Sequence, residues 1–193
     1  MKSFVFATNN AHKLSEVQSL LGDDFKIVSL KALGFTGEIP ETGETLAENA
    51  LQKAHFIYQR YGVNCFADDT GLEVDALGGA PGVYSARYAG PQATYADNVD
   101  KLLHEMEGVT SRTARFKTVV ALILEGKEYL FHGQVEGEIL AERRGADGFG
   151  YDPVFLPLGY DLTFAEMPSA LKNKISHRGK AMQKLVRFLL NRS

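Results

Sequence analysis

The sequence has a single cysteine, Cys65, so no disulfide can form within the chain. Cys65 lies in an apolar run without the signature of a nucleophilic cysteine, and is expected to pack as a small hydrophobe. No apolar run approaches the length needed to cross a bilayer, and the apolar stretch after Met1 is too short for a secretory signal. A reducing, cytoplasmic environment is expected. Nor is there an excess of positive charge: 21 basic and 24 acidic residues leave a formal charge of −3. That argues against a surface built to grip a nucleic acid polymer. Several enzyme signatures are also missing. There is no G-x-x-x-x-G-K-[ST] run, which excludes a P-loop. No G-x-G-x-x-G follows a strand-like segment, and no G-x-S-x-G elbow is present. The five histidines, His12, His55, His104, His132 and His177, show no zinc-ligand spacing.

What is present reads as an ordinary globular chain, with 45% hydrophobic and 23% charged residues over 193 positions. That length suits one large domain or two packed lobes. There is no internal repeat or low-complexity linker. Strand-like and helical segments alternate around a β-rich middle, which predicts an α/β fold with a mixed sheet. Phe4 to Ala7 predicts a short strand, followed by a helix with Leu14, Val17, Leu20 and Leu21 on one face and Asn10 as its cap. Thr45-Leu46-Ala47-Glu48 is a capping box opening a long helix, with Leu46, Ala50, Ala54, Ile57 and Tyr61 inward and Gly62 as the stop. Its aromatics Phe56 and Tyr58 are expected to be exposed and could serve an interface. Val63 to Ala67 predicts a buried strand that ends at Asp68-Asp69-Thr70-Gly71. A helix is expected from about Thr94 to Met106, then two strands paired through Glu125-Gly126-Lys127. A glycine-rich loop from Gly145 to Pro153 leads into another strand, and a last helix, capped by Ser176, runs through Ala181, Leu185, Phe188 and Leu189.

Four polar clusters interrupt this pattern. Thr8-Asn9-Asn10 with Lys13 sits where a strand turns into a helix, and N–H groups at a helix N-terminus favour anions such as phosphate. Read alone, Asn10 is equally a simple cap with Lys13 solvated. Asp68 and Asp69 are costly on a buried strand unless paired or bound to a metal, and two carboxylates plus substrate phosphates suffice for Mg²⁺. The alternative is an Asp-rich turn. Glu41-Thr42-Gly43-Glu44 offers a further metal oxygen or a solvated loop. Phe149-Gly150-Tyr151-Asp152-Pro153, with Lys172 and Ser176-His177-Arg178-Gly179, combines an aromatic that can stack on a base with cations that can bind phosphate or a base carbonyl.

Six segments in order make these clusters specific as a set: Thr8-Asn9-Asn10-Ala11-His12-Lys13; Glu41-Thr42-Gly43 with Glu48-Asn49-Ala50; Ala67-Asp68-Asp69-Thr70-Gly71-Leu72; Gly78-Gly79-Ala80-Pro81-Gly82-Val83-Tyr84-Ser85-Ala86-Arg87-Tyr88; Phe149-Gly150-Tyr151-Asp152-Pro153; and Ile175-Ser176-His177-Arg178-Gly179. Together, from about Phe4 to Leu190, they resemble the inosine triphosphate pyrophosphatase, or Ham1-like, family, with the bacterial dITP/XTP pyrophosphatases as the nearest likeness. The resemblance implies one domain of two lobes around a deep nucleotide cleft, an ITPase/Maf-like fold, and a homodimer. It implies Mg²⁺-dependent hydrolysis of ITP, dITP and XTP to the monophosphate and pyrophosphate, clearing deaminated purines from the nucleotide pool.

The roles it implies are specific. Thr8, Asn9, Asn10, Ala11, His12 and Lys13 hold the triphosphate. Asp69 is the general base and a metal-linked carboxylate, with Asp68 beside it. Thr70 and Arg87 touch substrate. Phe149, Gly150, Tyr151, Asp152, Lys172, His177 and Arg178 enclose the base. Two departures stand out. Pro40 replaces an acid common among relatives, so the outer metal ligand falls to Glu41, with Glu44 as the fallback. Thr70 replaces a common serine and keeps the hydroxyl. A fixed donor from His177, Arg178 or a backbone N–H would favour the C6 carbonyl of hypoxanthine or xanthine over adenine. The rivals are a non-catalytic nucleotide sensor and a Maf-like pyrophosphatase acting on other modified nucleotides.

Overall fold

The computed structural model describes residues 2–192. The chain forms two compact units. One holds the residues up to Asp69, Thr118–Gly133 and the chain from Arg178 onward; the other holds Thr70–Lys117 and Gln134–His177.

The first unit begins with β1 (Lys2–Phe6), α1 (Ala11–Leu21), β2 (Phe25–Ser29), α2 (Leu46–Tyr61) and the start of β3 (Cys65–Val74). It is completed by the later part of β5 (Thr113–Leu124), the earlier part of β6 (Lys127–Ile139) and α5 (His177–Leu190). β1 lies parallel to both β2 and β3, with Phe4 opposite Ile27 and Val5 opposite Cys65. Successive side chains on a strand point to opposite faces, and here both faces are covered. Phe4, Phe6, Phe66, Val120 and Leu122 meet Val17 and Leu21 of α1 and Ala181, Met182, Leu185 and Leu189 of α5. Val5, Ala7, Cys65, Ala67, Val119, Ala121 and Ile123 meet Ala50, Ala54 and Ile57 of α2. Burial on both faces explains why these strands read as unbroken apolar runs. Each fully buried large aliphatic such as Ile57 contributes roughly 2 kcal/mol of transfer free energy.

The helix ends follow the sequence signals. Asn10 caps α1, Thr45 and Glu48 form the capping box of α2, and Gly62 ends α2 in the left-handed region at φ 64°. Phe56 and Tyr58, expected to be exposed, are half-buried against the core on the α2 side. β2 was not foreseen, because its sequence FKIVS is short and only Phe25 is fully buried.

The second unit contains the rest of β3, β4 (Pro81–Gly82), α3 (Tyr95–Glu105), the earlier part of β5, the later part of β6, β7 (Phe155–Pro157) and α4 (Ser169–Ile175). β4 runs antiparallel to β3 and β7 antiparallel to β6, with Ile139 opposite Phe155. A Cβ on Gly137 would lie 2.4 Å from the Leu156 carbonyl oxygen, so the β6–β7 approach requires glycine. Leu72, Val74, Val99, Leu102, Phe116, Val154, Phe155 and Phe164 form its core. Arg112 donates to the carbonyls of Met106, Val109, Ile139 and Leu140, tying the end of α3 to the strands. α4 is a seven-residue helix, too short to show a periodic face in sequence.

Strand order is β2-β1-β3-β5-β6-β7, with β4 paired to β3. One expectation fails. β3 does not stop at Asp68 but continues through Asp68-Asp69-Thr70-Gly71 to Val74. The acids tolerate a mid-strand position because cations meet them there. Among the described residues no helix is long and apolar enough to cross a membrane.

Candidate functional site

In the first unit, the alternation of β3 separates the two aspartates. Asp68 follows Phe66 toward α1 and α5, and Asp69 follows Cys65 and Ala67 toward α2. Asp68 is 1% exposed, and both its oxygens meet cations: Lys13 Nζ at 3.2 Å from Oδ1 and Arg178 Nε at 3.1 Å from Oδ2. Arg178 Nη1 also donates to Glu16 Oε2 at 2.5 Å. Burial alone would raise the Asp68 carboxyl, but Lys13, Arg178 and Lys53 outweigh it and hold the group well below the usual carboxylate range.

Asp69 behaves oppositely. Burial pushes it up to about 6, Lys53 and Lys13 oppose that rise, and Glu41 adds to it. Lys53 comes from the buried face of α2. Its ammonium lies 2.5 Å from Glu41 Oε1, 2.6 Å from the Asp68 carbonyl oxygen and 4.0 Å from Asp69 Oδ1. Burial would lower the Lys53 ammonium, but Asp68, Glu41 and Asp69 together raise it.

The Glu41 loop is stitched to α2. Thr42 exchanges two hydrogen bonds with Gln52, the Gly43 N–H donates to Asn49 Oδ1 at 2.7 Å, and the Glu44 N–H donates to Glu48 Oε2. Glu41 thus reaches the lysine, while Glu44 remains exposed. At the first strand-to-helix turn, Asn10 Oδ1 accepts from the His12 and Lys13 N–H groups, and Thr8 Oγ1 accepts from the Asn10 N–H. Asn10 therefore takes two of the first-turn donors itself, and the Lys13 ammonium is the strong cation of this turn. Asn9 Nδ2 donates to the Gly37 carbonyl. Ala11 opens α1, and His12 is exposed.

The second unit gathers the other cluster. Asp152 Oδ2 accepts from Lys172 Nζ at 2.7 Å and from the Phe149 N–H at 3.0 Å. Lys172 Nζ lies 5.1 Å from the Phe149 ring centre and 5.9 Å from that of Phe164. Gly148, at φ +74°, leaves space that a Cβ would fill 2.3 Å from Asp152 Oδ2. Gly150 is also left-handed, at φ 61°. The Tyr151 hydroxyl donates to the Ser85 carbonyl at 2.6 Å, and burial raises its phenol. The Tyr95 and Phe149 rings lie 6.0 Å apart. The His177 ring stacks on Phe116 at 4.6 Å. Thr70 follows Asp69 on β3, half-buried. Arg87 meets none of the other predicted side chains; its guanidinium lies 5.1 Å over the Tyr84 ring.

The structure thus groups Lys13, Asp68, Asp69, Glu41 and Arg178 in one unit, and Phe149, Asp152, Lys172, Tyr151 and His177 in the other. Lys53, Asn49 and Glu16 were missed by sequence reasoning. The signal was present: positions 49 and 53 fall in the inward stripe defined by Ala50, Ala54 and Ile57, where an asparagine and a lysine are out of place.

For a divalent cation the first unit offers hard oxygens from two carboxylates, Glu41 and Asp69, drawn together by one ammonium. Among the described residues no group of three His, Cys, Asp or Glu side chains could cage a metal. Two carboxylates suit Mg²⁺, which keeps water and takes phosphate oxygens.

The Ham1 family model matches residues 4–188. A dITP/XTP pyrophosphatase of Flavobacterium johnsoniae is 53% identical over 185 residues, covering 96% of either chain. One from Porphyromonas gingivalis is 52% identical over 191 residues, 98% of each. Among solved structures, the Ham1 protein of Staphylococcus aureus superposes with a TM-score of 0.89 at 36% identity over all of both chains. A HAM1 protein from Coxiella burnetii gives 0.90 at 41% identity over 99% of this chain and 100% of its own.

Proposed function

The chain belongs to the Ham1 family, and we propose that it hydrolyses deaminated purine nucleoside triphosphates, namely ITP, dITP and XTP, to the monophosphate and pyrophosphate. The observation that carries this reading is the buried set of Lys13, Lys53 and Arg178 against Asp68, Asp69 and Glu41, in which Asp69 alone is pushed up to about 6. A carboxylate poised near neutrality beside two lysines is what a general base needs next to a polyphosphate.

In this mechanism Lys13 and Lys53 bind phosphate oxygens and offset the charge that develops on them. Asp69 orients a water in line with the α-phosphorus and accepts its proton. The water oxygen bonds to that phosphorus, the bond to the bridging oxygen breaks, and its electron pair leaves with pyrophosphate. Glu41 and Asp69 would hold a Mg²⁺ ion, which would supply charge neutralisation. Asp68 spends both oxygens on Lys13 and Arg178, so its role here is to anchor cations.

The Phe149 ring, with Lys172 and Asp152 behind it, supplies a face on which a purine stacks. A fixed donor such as His177 or a backbone N–H opposite the C6 carbonyl leaves adenine with donor facing donor, and such a mismatch in a buried site discriminates by about 10⁴-fold. The working form is a homodimer in the cytoplasm, where the buried thiol of Cys65, raised to about 12, stays inert.

Purified protein with Mg²⁺ and a panel of ITP, dITP, XTP, ATP and GTP tests this reading. Pyrophosphate is expected from the first three, with ATP turnover lower by about 10³-fold or more. Orthophosphate as the product, or equal turnover of ATP, would overturn it.

A further inference from the structure

Asn49 has no solvent exposure, although it is polar and lies on the inward face of α2, one turn before Lys53. Apolar side chains occupy the neighbouring inward positions Ala50 and Ala54. Its Oδ1 accepts the Gly43 N–H at 2.7 Å. Its Nδ2 is turned toward the Asp69 carboxylate without closing a hydrogen bond of full geometry, and it has no other partner among the described residues. A buried amide donor left short of its bond is costly, so packing alone does not account for asparagine here.

The loop on the other side of Asn49 carries Glu41. Gly43 presses so closely on α2 that a Cβ would lie 2.6 Å from Glu48 Cβ and 2.9 Å from Asn49 Oδ1. One carboxamide therefore holds the loop that bears Glu41 and faces the carboxylate of Asp69. Lys53, four residues along the same face, stands 2.5 Å from Glu41 and 4.0 Å from Asp69, so it grips Glu41 closely and Asp69 only at the outer limit of an ion pair.

We propose that Asn49 is a positioning residue that sets the separation and facing of Glu41 and Asp69 before the divalent cation arrives. It holds the Glu41 loop through Gly43 and presents its amide N–H to the Asp69 carboxylate. The inference rests on the assignment of the cation to Glu41 and Asp69. Partners that orient metal ligands in this way usually change affinity or turnover by about 10- to 100-fold when removed.

The test compares the full chain with Asn49→Ala, Asn49→Asp and Asp69→Asn. It reads Mn²⁺ affinity without nucleotide, kcat and KM for ITP at saturating Mg²⁺, and the folded fraction by calorimetry. Per folded molecule, Asn49→Ala is expected to weaken Mn²⁺ binding by about 10- to 100-fold and to lower kcat by a similar factor, with KM for ITP changed by less than about threefold. Asn49→Asp keeps an acceptor for the Gly43 N–H but offers the Asp69 carboxylate no N–H donor, so its kcat is expected to fall as that of Asn49→Ala does; wild-type kcat in folded Asn49→Asp would overturn the hold on Asp69. Wild-type Mn²⁺ affinity and kcat in folded Asn49→Ala, while Asp69→Asn is inactive, would overturn the role of Asn49 alone. A loss in Asn49→Ala that follows only the unfolded fraction would overturn it equally. Wild-type behaviour of Asp69→Asn would instead remove the cation assignment beneath it.

Discussion

Adjacent residues on a strand face opposite ways, and Asp68 and Asp69 meet different surroundings for that reason. Asp69 is raised from 3.8 to about 6 by burial. A carboxyl whose folded value lies above its unfolded one destabilises the fold as pH rises from about 4 to about 6, and the cost is complete above that window. Asp69→Asn in metal-free protein is therefore expected to be more stable than wild type at pH 8, by about 3 kcal/mol at most. The gap should close by about pH 4 when melting is followed across pH, while ITP turnover at pH 8 falls by about 10²- to 10⁴-fold. Asp68 has the reverse sign: its lowered value gives stability that is present above about 3.8 and lost as pH falls below it. Asp68→Ala leaves Lys13 and Arg178 buried without their shared counter-charge and is expected to cost about 3–5 kcal/mol in urea unfolding. The sequence displayed both aspartates as a pair. It did not display their separation, because that depends on which helix covers each face of β3.

At the scale of elements, the signals that were legible are those with local causes. Asn10, the Thr45–Glu48 capping box and Gly62 act within one helical turn, and each end appears where its residues require. The end assigned to β3 failed because it rested on the polarity of Asp68 and Asp69, and polarity stops a strand only when no cation compensates it. Lys13, Lys53 and Arg178 come from three different helices, distant in sequence, and no local pattern announces that they meet at β3. Lys53 and Asn49 were nonetheless visible as polar interruptions of an apolar stripe. The hairpin between β5 and β6 turns through Glu125 and Gly126, both left-handed at φ 52° and 79°. A non-glycine residue there is strained, and asparagine suits this turn better than glutamate. Glu125→Asn should raise stability by about 0.5–1 kcal/mol, measured by thermal unfolding, with no effect on turnover.

Across the whole molecule, a formal charge of −3 coexists with a concentrated group of cations. Lys13, Lys53 and Arg178 are committed to acids of the same unit and do not form a basic surface. Duplex DNA is expected neither to retain the protein on a column at about 150 mM salt nor to slow ITP hydrolysis; salt-sensitive retention would contradict this. The same commitment has a consequence for the idle enzyme. Three cationic side chains, Lys13, Lys53 and Arg178, stand against three acids, Asp68, Glu41 and Glu16, so a proton on Asp69 leaves the ensemble neutral. Acidification toward pH 5 would then silence hydrolysis reversibly in an intact fold, the hydrogen ion serving as a placeholder that magnesium must evict before work resumes.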